Sequence, residues 1–147
     1  VTDFVFKGLD KAKFNQDIDL TSYDEIIICP SNPYVSINPI LQLSTLQNHL
    51  IEFPDKATVI SPIVNYQSLK GPTAKMMLEL GHEISVLTIA KFYKNYSKRI
   101  FIDTSDSNDS DQLIRLGCDV HETNLVMNNT QTKNKLAQEI IQLLEST

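Results

Sequence analysis

Three short apolar runs constrain what this chain folds into. Ile26-Ile27-Ile28-Cys29, Ala57 to Ile60 and Ile100-Phe101-Ile102 each break into a polar segment, and each is followed by a helical pattern. A continuous apolar run bounded by turn signals is what a strand buried on both faces looks like in a parallel sheet. Glu25 to Cys29 reads in this way. Strands alternating with helices predict an α/β, Rossmann-like three-layer sandwich: a mainly parallel sheet with helices on both faces. No repeat or linker interrupts residues 1–147, which read as a single α/β domain.

The remaining elements follow from the same signals. Val1 to Phe6 alternates and ends at Gly8, as a strand with one wet face does, and residues 15–23 form a weak helix or a loop. Asn38 reads as a helix N-cap with Pro39 at the first helical position. Leu43, Leu46 and Leu50 give that helix its inner face. Ser61 to Tyr66 reads as a loop, and Pro72 starts a helix whose inner face is Met76, Met77 and Leu80, with Gly81 as its stop. Residues 86–95 are predicted helical. Ser107 or Asn108 is the expected cap of a helix that Gly117 ends, and Asp119 to His121 is a short strand. The last helix starts near Thr130, with Leu136, Ile140, Ile141 and Leu144 on one face.

Bulk properties exclude several function classes. The net charge is −5 and no basic cluster exists, which argues against a nucleic-acid surface. No apolar run approaches the ~20 residues of a membrane-spanning helix, and no signal peptide is visible. Cys29 and Cys118 lie in or beside strands and read as buried thiols of a reducing compartment; the expected location is the cytoplasm, with a homodimer left open.

Two strand-to-helix junctions carry the chemistry. The first, Pro30-Ser31-Asn32-Pro33-Tyr34-Val35-Ser36-Ile37-Asn38-Pro39, places three prolines, two serines and two asparagines where α/β proteins bind ligands. Turn chemistry accounts for Asn38 and Pro39, but less well for Ser31, Asn32 and Ser36 crowding the end of a strand. The second runs from Ser61-Pro62 to Lys70-Gly71-Pro72 and Lys75. Gly71 lets a backbone approach a ligand, and Lys70 and Lys75 are cations for a phosphate, or two solvated lysines beside a helix start. The glycine-rich phosphate loop ending in Lys-Ser/Thr is absent.

Asp103, Asp106, Asp109 and Asp111 suggest a metal loop but lack the EF-hand glycine and closing glutamate, so solvated carboxylates with a helix-capping role are preferred. His49, His82 and His121 have no zinc spacing. The residues by themselves thus offer anion-binding junctions and no evident nucleophile, base or metal site.

The same residues resemble the 2-phospho-L-lactate transferases. Pro30-Ser31-Asn32-Pro33, Ser36-Ile37 and Pro39-Ile40-Leu41 look like the family's signature loop. Ser61-Pro62-Ile63, Leu69-Lys70-Gly71-Pro72 and Lys75-Met76 match a second block, and Glu83, Ser85, Ile102-Asp103, Asp106, Leu116-Gly117, Thr123 and Met127 follow collinearly. The resemblance implies transfer of a 2-phospholactyl (or phosphoenolpyruvyl) group from a guanosine diphosphate-linked donor to the deazaflavin Fo, releasing GMP, in coenzyme F-420 biosynthesis. It also implies Mg2+. Carried onto this chain, it makes Ser31, Asn32, Pro33, Ser36, Ser61, Lys70, Gly71 and Lys75 the nucleotide- and phosphate-binding residues, with Asn32 and Ser36 foremost.

The likeness covers only the C-terminal half of the family. The chain is therefore expected to be the C-terminal portion of a longer transferase, with the Mg2+ ligands outside it. Val64-Asn65-Tyr66 departs from the family's glycine-containing turn, and Cys29 stands where the family often has glycine. The alternatives are a non-catalytic guanine-nucleotide-binding α/β module and a domain that serves only in assembly.

Overall fold

The structure, a computed structural model, describes residues 2–146. Its strands are β1 (Ile26–Ile28), β2 (Ala57–Ile60), β3 (Ile63–Val64), β4 (Gln67–Ser68), β5 (Arg99–Asp103) and β6 (Asp119–Thr123). Its helices are α1 (Asn38–Leu41), α2 (Ser44–Glu52), α3 (Thr73–Glu79), α4 (Val86–Tyr93), α5 (Ser110–Arg115) and α6 (Thr130–Glu145). Four strands form one parallel sheet in the order β1-β2-β5-β6, with Ile28 beside Val59, Ile60 beside Phe101 and Ile100 beside Val120. The predicted α/β three-layer sandwich is what the chain forms.

Alternation along the strands builds both cores. Ile28, Ala57, Val59, Ile100 and Ile102 point to one face and pack with Leu41, Leu46, Leu50, Met77, Ile89 and Leu113 of α1 to α5. Ile60 and Phe101 point to the other and pack with Leu136 and Ile140 of α6. The sheet order advances in one direction, so right-handed crossovers put α1 to α5 on a single face, and α6, after the last strand, covers the other. Local signals shape the helix ends. Ser85 caps α4, Asn129 and Thr132 form a reciprocal capping box on α6, and Gly81 and Gly117 end α3 and α5 at φ of 76° and 88°. No described helix is long and apolar enough to cross a membrane.

Several sequence expectations change. The expected strand over residues 1–6 is absent in its described part; Phe4 instead stacks on Tyr34, ring centroids 6.0 Å apart. Among the described residues β1 has no neighbour on its outer side and is not buried on both faces: Ile27 is 42% exposed, and Cys29, expected buried, is exposed. Asn38 makes no cap; Asn32 does, six residues earlier. The Ser61–Tyr66 loop contains β3, which pairs antiparallel with β4 as a tight hairpin. α5 has no side-chain cap from Ser107 or Asn108; a 3-10 turn over Thr104–Asp109, capped by Asp103, leads into it. Ile141 keeps to the sheet side of α6 but is half exposed, in a groove that it lines with Ile27, Cys29 and Ile140.

One polar cluster sits at the N-terminal end of the sheet. Arg99 reaches Glu25 at 3.3 Å and Asp119 at 3.1 Å, and Glu25 accepts the Thr58 hydroxyl at 2.5 Å. It lies at the opposite end of the strands from the cavity described next.

Candidate functional site

Beyond the C-terminal ends of β1, β2 and β6 lies a cavity of about 510 Å3, at the edge of the sheet where α/β folds leave room for ligands. Three walls enclose it. The first is the segment after β1. The second is Ser61-Pro62 with Leu69 to Thr73. The third is Leu125 to Asn128, joined by Lys133 of α6.

The first wall is a π-helical turn, Pro33–Ile37, in which the Ser36 and Ile37 N–H groups both donate to the Asn32 carbonyl, at 3.0 and 3.1 Å. Such turns are rare and cluster at functional sites. Asn32 holds the turn with its side chain: Oδ1 accepts from Tyr34 N–H at 2.9 Å and Val35 N–H at 3.2 Å, and Nδ2 points to the Met76 sulfur at 3.2 Å. Asn32 therefore lines the cavity with its polar atoms already engaged, and its first role is to shape the wall. Pro33 begins the turn and is buried beneath it, outside the cavity lining. The Ser31 and Ser36 hydroxyls line the cavity without a hydrogen-bond partner among the described residues.

In the second wall Ser61 is buried. Its hydroxyl donates to the Ile63 carbonyl and accepts the Ile63 N–H, both at 3.0 Å, so it sets the turn from β2 into the hairpin. Gly71, at φ 70°, lets the chain turn from β4 into α3 with no side chain facing the opening. Lys70 lines the cavity. Lys75 does not: it points to solvent and pairs with Glu79 one helical turn on, at 3.7 Å.

The acidic loop supports these walls from behind. Asp103 accepts the Ser105 N–H and hydroxyl on Oδ1 and the Leu125 N–H on Oδ2 at 2.8 Å, tying the third wall to the end of β5. Asp106, fully buried, accepts the Asn65 and Tyr66 N–H groups and holds the hairpin that leads to the second wall. The expected solvated carboxylates are thus buried at Asp103, Asp106 and Asp109, and only Asp111 is in solvent; the helix-capping part of the expectation holds for Asp103. Burial pushes the Asp103 carboxyl up, but its three hydrogen bonds outweigh burial and hold it below its ordinary value. Burial raises Asp106, against the pull of its two backbone donors and with the help of the neighbouring Asp103 and Asp109 charges.

The lining contains two lysines, Lys70 and Lys133, and no carboxylate, in a chain with 18 acidic residues and a net charge of −5. With the serine hydroxyls it suits an anion. It does not suit a divalent cation: among the described residues no group of three His, Cys, Asp or Glu side chains is placed to hold one, and the Asp103 and Asp106 oxygens are taken by backbone donors. Sequence reasoning missed the third wall. Met127 stood out as part of a motif, but nothing local places it, or Lys133, beside Ser31.

A family model described as 2-phospho-L-lactate transferase CofD matches residues 10–130. Curated relatives named 2-phospho-L-lactate transferase also match, and three of them are representative. That of Methanocaldococcus jannaschii is 37% identical over 123 residues, covering 84% of this chain and 38% of the relative. That of Methanococcoides burtonii is 32% identical over 124 residues, covering 84% and 40%. That of Methanococcus maripaludis strain C5 is 32% identical over 148 aligned positions, covering 99% and 46%. The chain spans less than half the length of these relatives.

Proposed function

The chain belongs to the 2-phospho-L-lactate transferase family, and on that premise we propose that it supplies the nucleotide-binding cavity for transfer of a 2-phospholactyl (or phosphoenolpyruvyl) group from a guanosine diphosphate-linked donor to the deazaflavin Fo in coenzyme F-420 biosynthesis. The observation that carries this reading is the cavity itself: among the described residues its lining has two lysines, two serine hydroxyls without a hydrogen-bond partner and no carboxylate, at the C-terminal edge of a parallel sheet in an acidic chain.

In this reading the Fo hydroxyl oxygen attacks the donor's β-phosphorus. A new P–O bond forms, the bond to the bridging oxygen breaks, GMP leaves with the electron pair, and the hydroxyl proton passes to solvent. Phosphoryl transfer of this kind depends on positioning and on charge stabilisation. Ser31 and Ser36 donate to phosphate oxygens, Lys70 balances the charge growing on the departing phosphate, and Gly71 permits close backbone approach. Asn32 and Ser61 keep the two walls in place. In this reading the hydrogen bonds within the walls set the contacts to the phosphates in advance, which reduces the reorganisation needed at the moment of transfer. Mg2+ belongs to the reading as a cofactor whose ligands lie outside this chain.

The test is calorimetric titration of the chain with GDP. Saturable binding, weakened by salt and by Ser31→Ala or Ser36→Ala by about 1–3 kcal/mol each, is expected. No heat of binding at millimolar GDP would remove the nucleotide assignment.

A further inference from the structure

We infer that Lys133, on α6, is the second cation of the diphosphate site and a determinant of its preference for a diphosphate over a neutral nucleoside. The inference rests on the nucleotide reading of the cavity and adds a residue from a part of the chain that carries no site signal in the sequence.

Three observations lead to it. Lys133 and Lys70 are the cationic residues among those lining the cavity, and they come from separate walls, the start of α6 and the loop before α3. Neither forms an ion pair among the described residues, so both ammonium groups are available to an anion. Lys135, two residues further along α6, turns to Glu139, so the two lysines of one helix serve different purposes. Finally, the first turn of α6 has no acidic side chain to balance its dipole. A cation close to the positive end of a helix is unfavourably placed, and an anion in the cavity, attracted by both, offsets that repulsion.

The geometry also divides labour between the cations. Ser31 and Ser36 lie on the first wall, Lys70 on the second, and Lys133 beside the third. A diphosphate carries charge on two phosphorus centres, and cations from separate walls engage both, which a single lysine does not. An uncharged nucleoside gains nothing from either.

The experiment is titration of the full chain and of Lys133→Ala, Lys133→Arg and Lys135→Ala with GDP and with guanosine, at low and at physiological salt, with thermal melts as the folding control. Lys133→Ala is expected to bind GDP about fivefold to tenfold more weakly, with a shallower salt dependence and unchanged guanosine binding. Lys133→Arg should recover most of the loss, and Lys135→Ala should behave as the parent. GDP binding by Lys133→Ala equal to that of the parent, or an equal loss in Lys135→Ala, overturns the inference and leaves the nucleotide reading intact. Failure of the parent to bind GDP removes both.

Discussion

Asp106 holds Asn65 in a left-handed backbone conformation: Oδ2 of the buried carboxylate accepts the Asn65 N–H at 2.9 Å, where φ is 49°. Tyr66 follows at φ 56° and donates its N–H to the other carboxylate oxygen at 3.3 Å. Two successive positive φ values are what a two-residue hairpin turn demands, and glycine or asparagine usually supplies them. Here the second position is a tyrosine, and a carboxylate 40 residues away holds it there. Removing that carboxylate leaves two backbone donors without their partner. Asp106→Ala should cost about 2–3 kcal/mol in urea unfolding and also weaken GDP binding, because the hairpin carries Leu69 to Gly71. A variant as stable as the parent would show that the turn holds itself.

Tyr66 makes a second test of the same turn. A non-glycine residue in the left-handed region costs about 1–2 kcal/mol, and glycine returns about 0.4–1 kcal/mol of that through the entropy of the unfolded chain. Tyr66→Gly should therefore raise stability by about 0.5 kcal/mol, less what is lost from the Asp109 contact of a side chain that is 44% exposed. A loss of stability would mean that the ring packs more usefully than its exposure suggests.

These two residues also show where sequence reading stops. The strand–helix alternation was legible because apolar runs and helical spacing are local patterns, and the parallel sheet follows from them. The junction at Pro30 to Pro39 was legible for the same reason. Which of its two Asn-Pro pairs caps was not: Asn32-Pro33 and Asn38-Pro39 have the same local signature, and it is Asn32 that caps while also reaching the distant Met76. That β1 has no outer neighbour among the described residues was hidden, since an apolar run does not reveal whether a strand has neighbours on both sides. Asp103 and Asp106 looked like surface carboxylates because their partners, Leu125 and Asn65, are distant in the chain. Lys133 was invisible for that reason too.

The two aspartates should leave opposite marks on acid stability. The Asp103 carboxyl is held below its ordinary value, so it contributes stability above about pH 4 that is lost as pH falls through its folded value. The Asp106 carboxyl is raised, so its contribution is present below about pH 4 and is lost as pH rises through its folded value. Denaturation midpoints measured from acid to neutral pH should rise less steeply with pH in Asp103→Asn than in the parent, and more steeply in Asp106→Asn. Parallel profiles for all three would reject both assignments.

The polar cluster at the N-terminal end of the sheet is structural. Arg99 is about nine-tenths buried, and its removal strands the mostly buried Glu25. Breaking a buried pair on one side costs about 3–5 kcal/mol; with Glu25 retaining the Thr58 hydroxyl, Arg99→Met should cost about 3 kcal/mol. Glu25→Gln in the same background should recover part of that by removing the stranded charge. Unfolding of the two variants and the double variant reads the coupling directly; additive losses would show that Arg99 acts through Asp119 alone.

Lys70 and Lys75 separate the cavity from its surroundings. The family likeness assigns both to the nucleotide, yet Lys70 lines the cavity and Lys75 pairs with Glu79 in solvent. A charge-assisted contact to phosphate is worth about 1.5–3 kcal/mol, so Lys70→Ala should weaken GDP binding by about tenfold or more. The Lys75–Glu79 pair is an exposed (i, i+4) pair of the kind worth about 0.3–0.5 kcal/mol, so Lys75→Ala should lower helix stability slightly and leave the GDP dissociation constant within about twofold. Calorimetric titration of both variants decides the matter. An equal loss in the two would mean that Lys75 leaves Glu79 and swings to the nucleotide when it binds, and the boundary of the site would then extend one turn along α3.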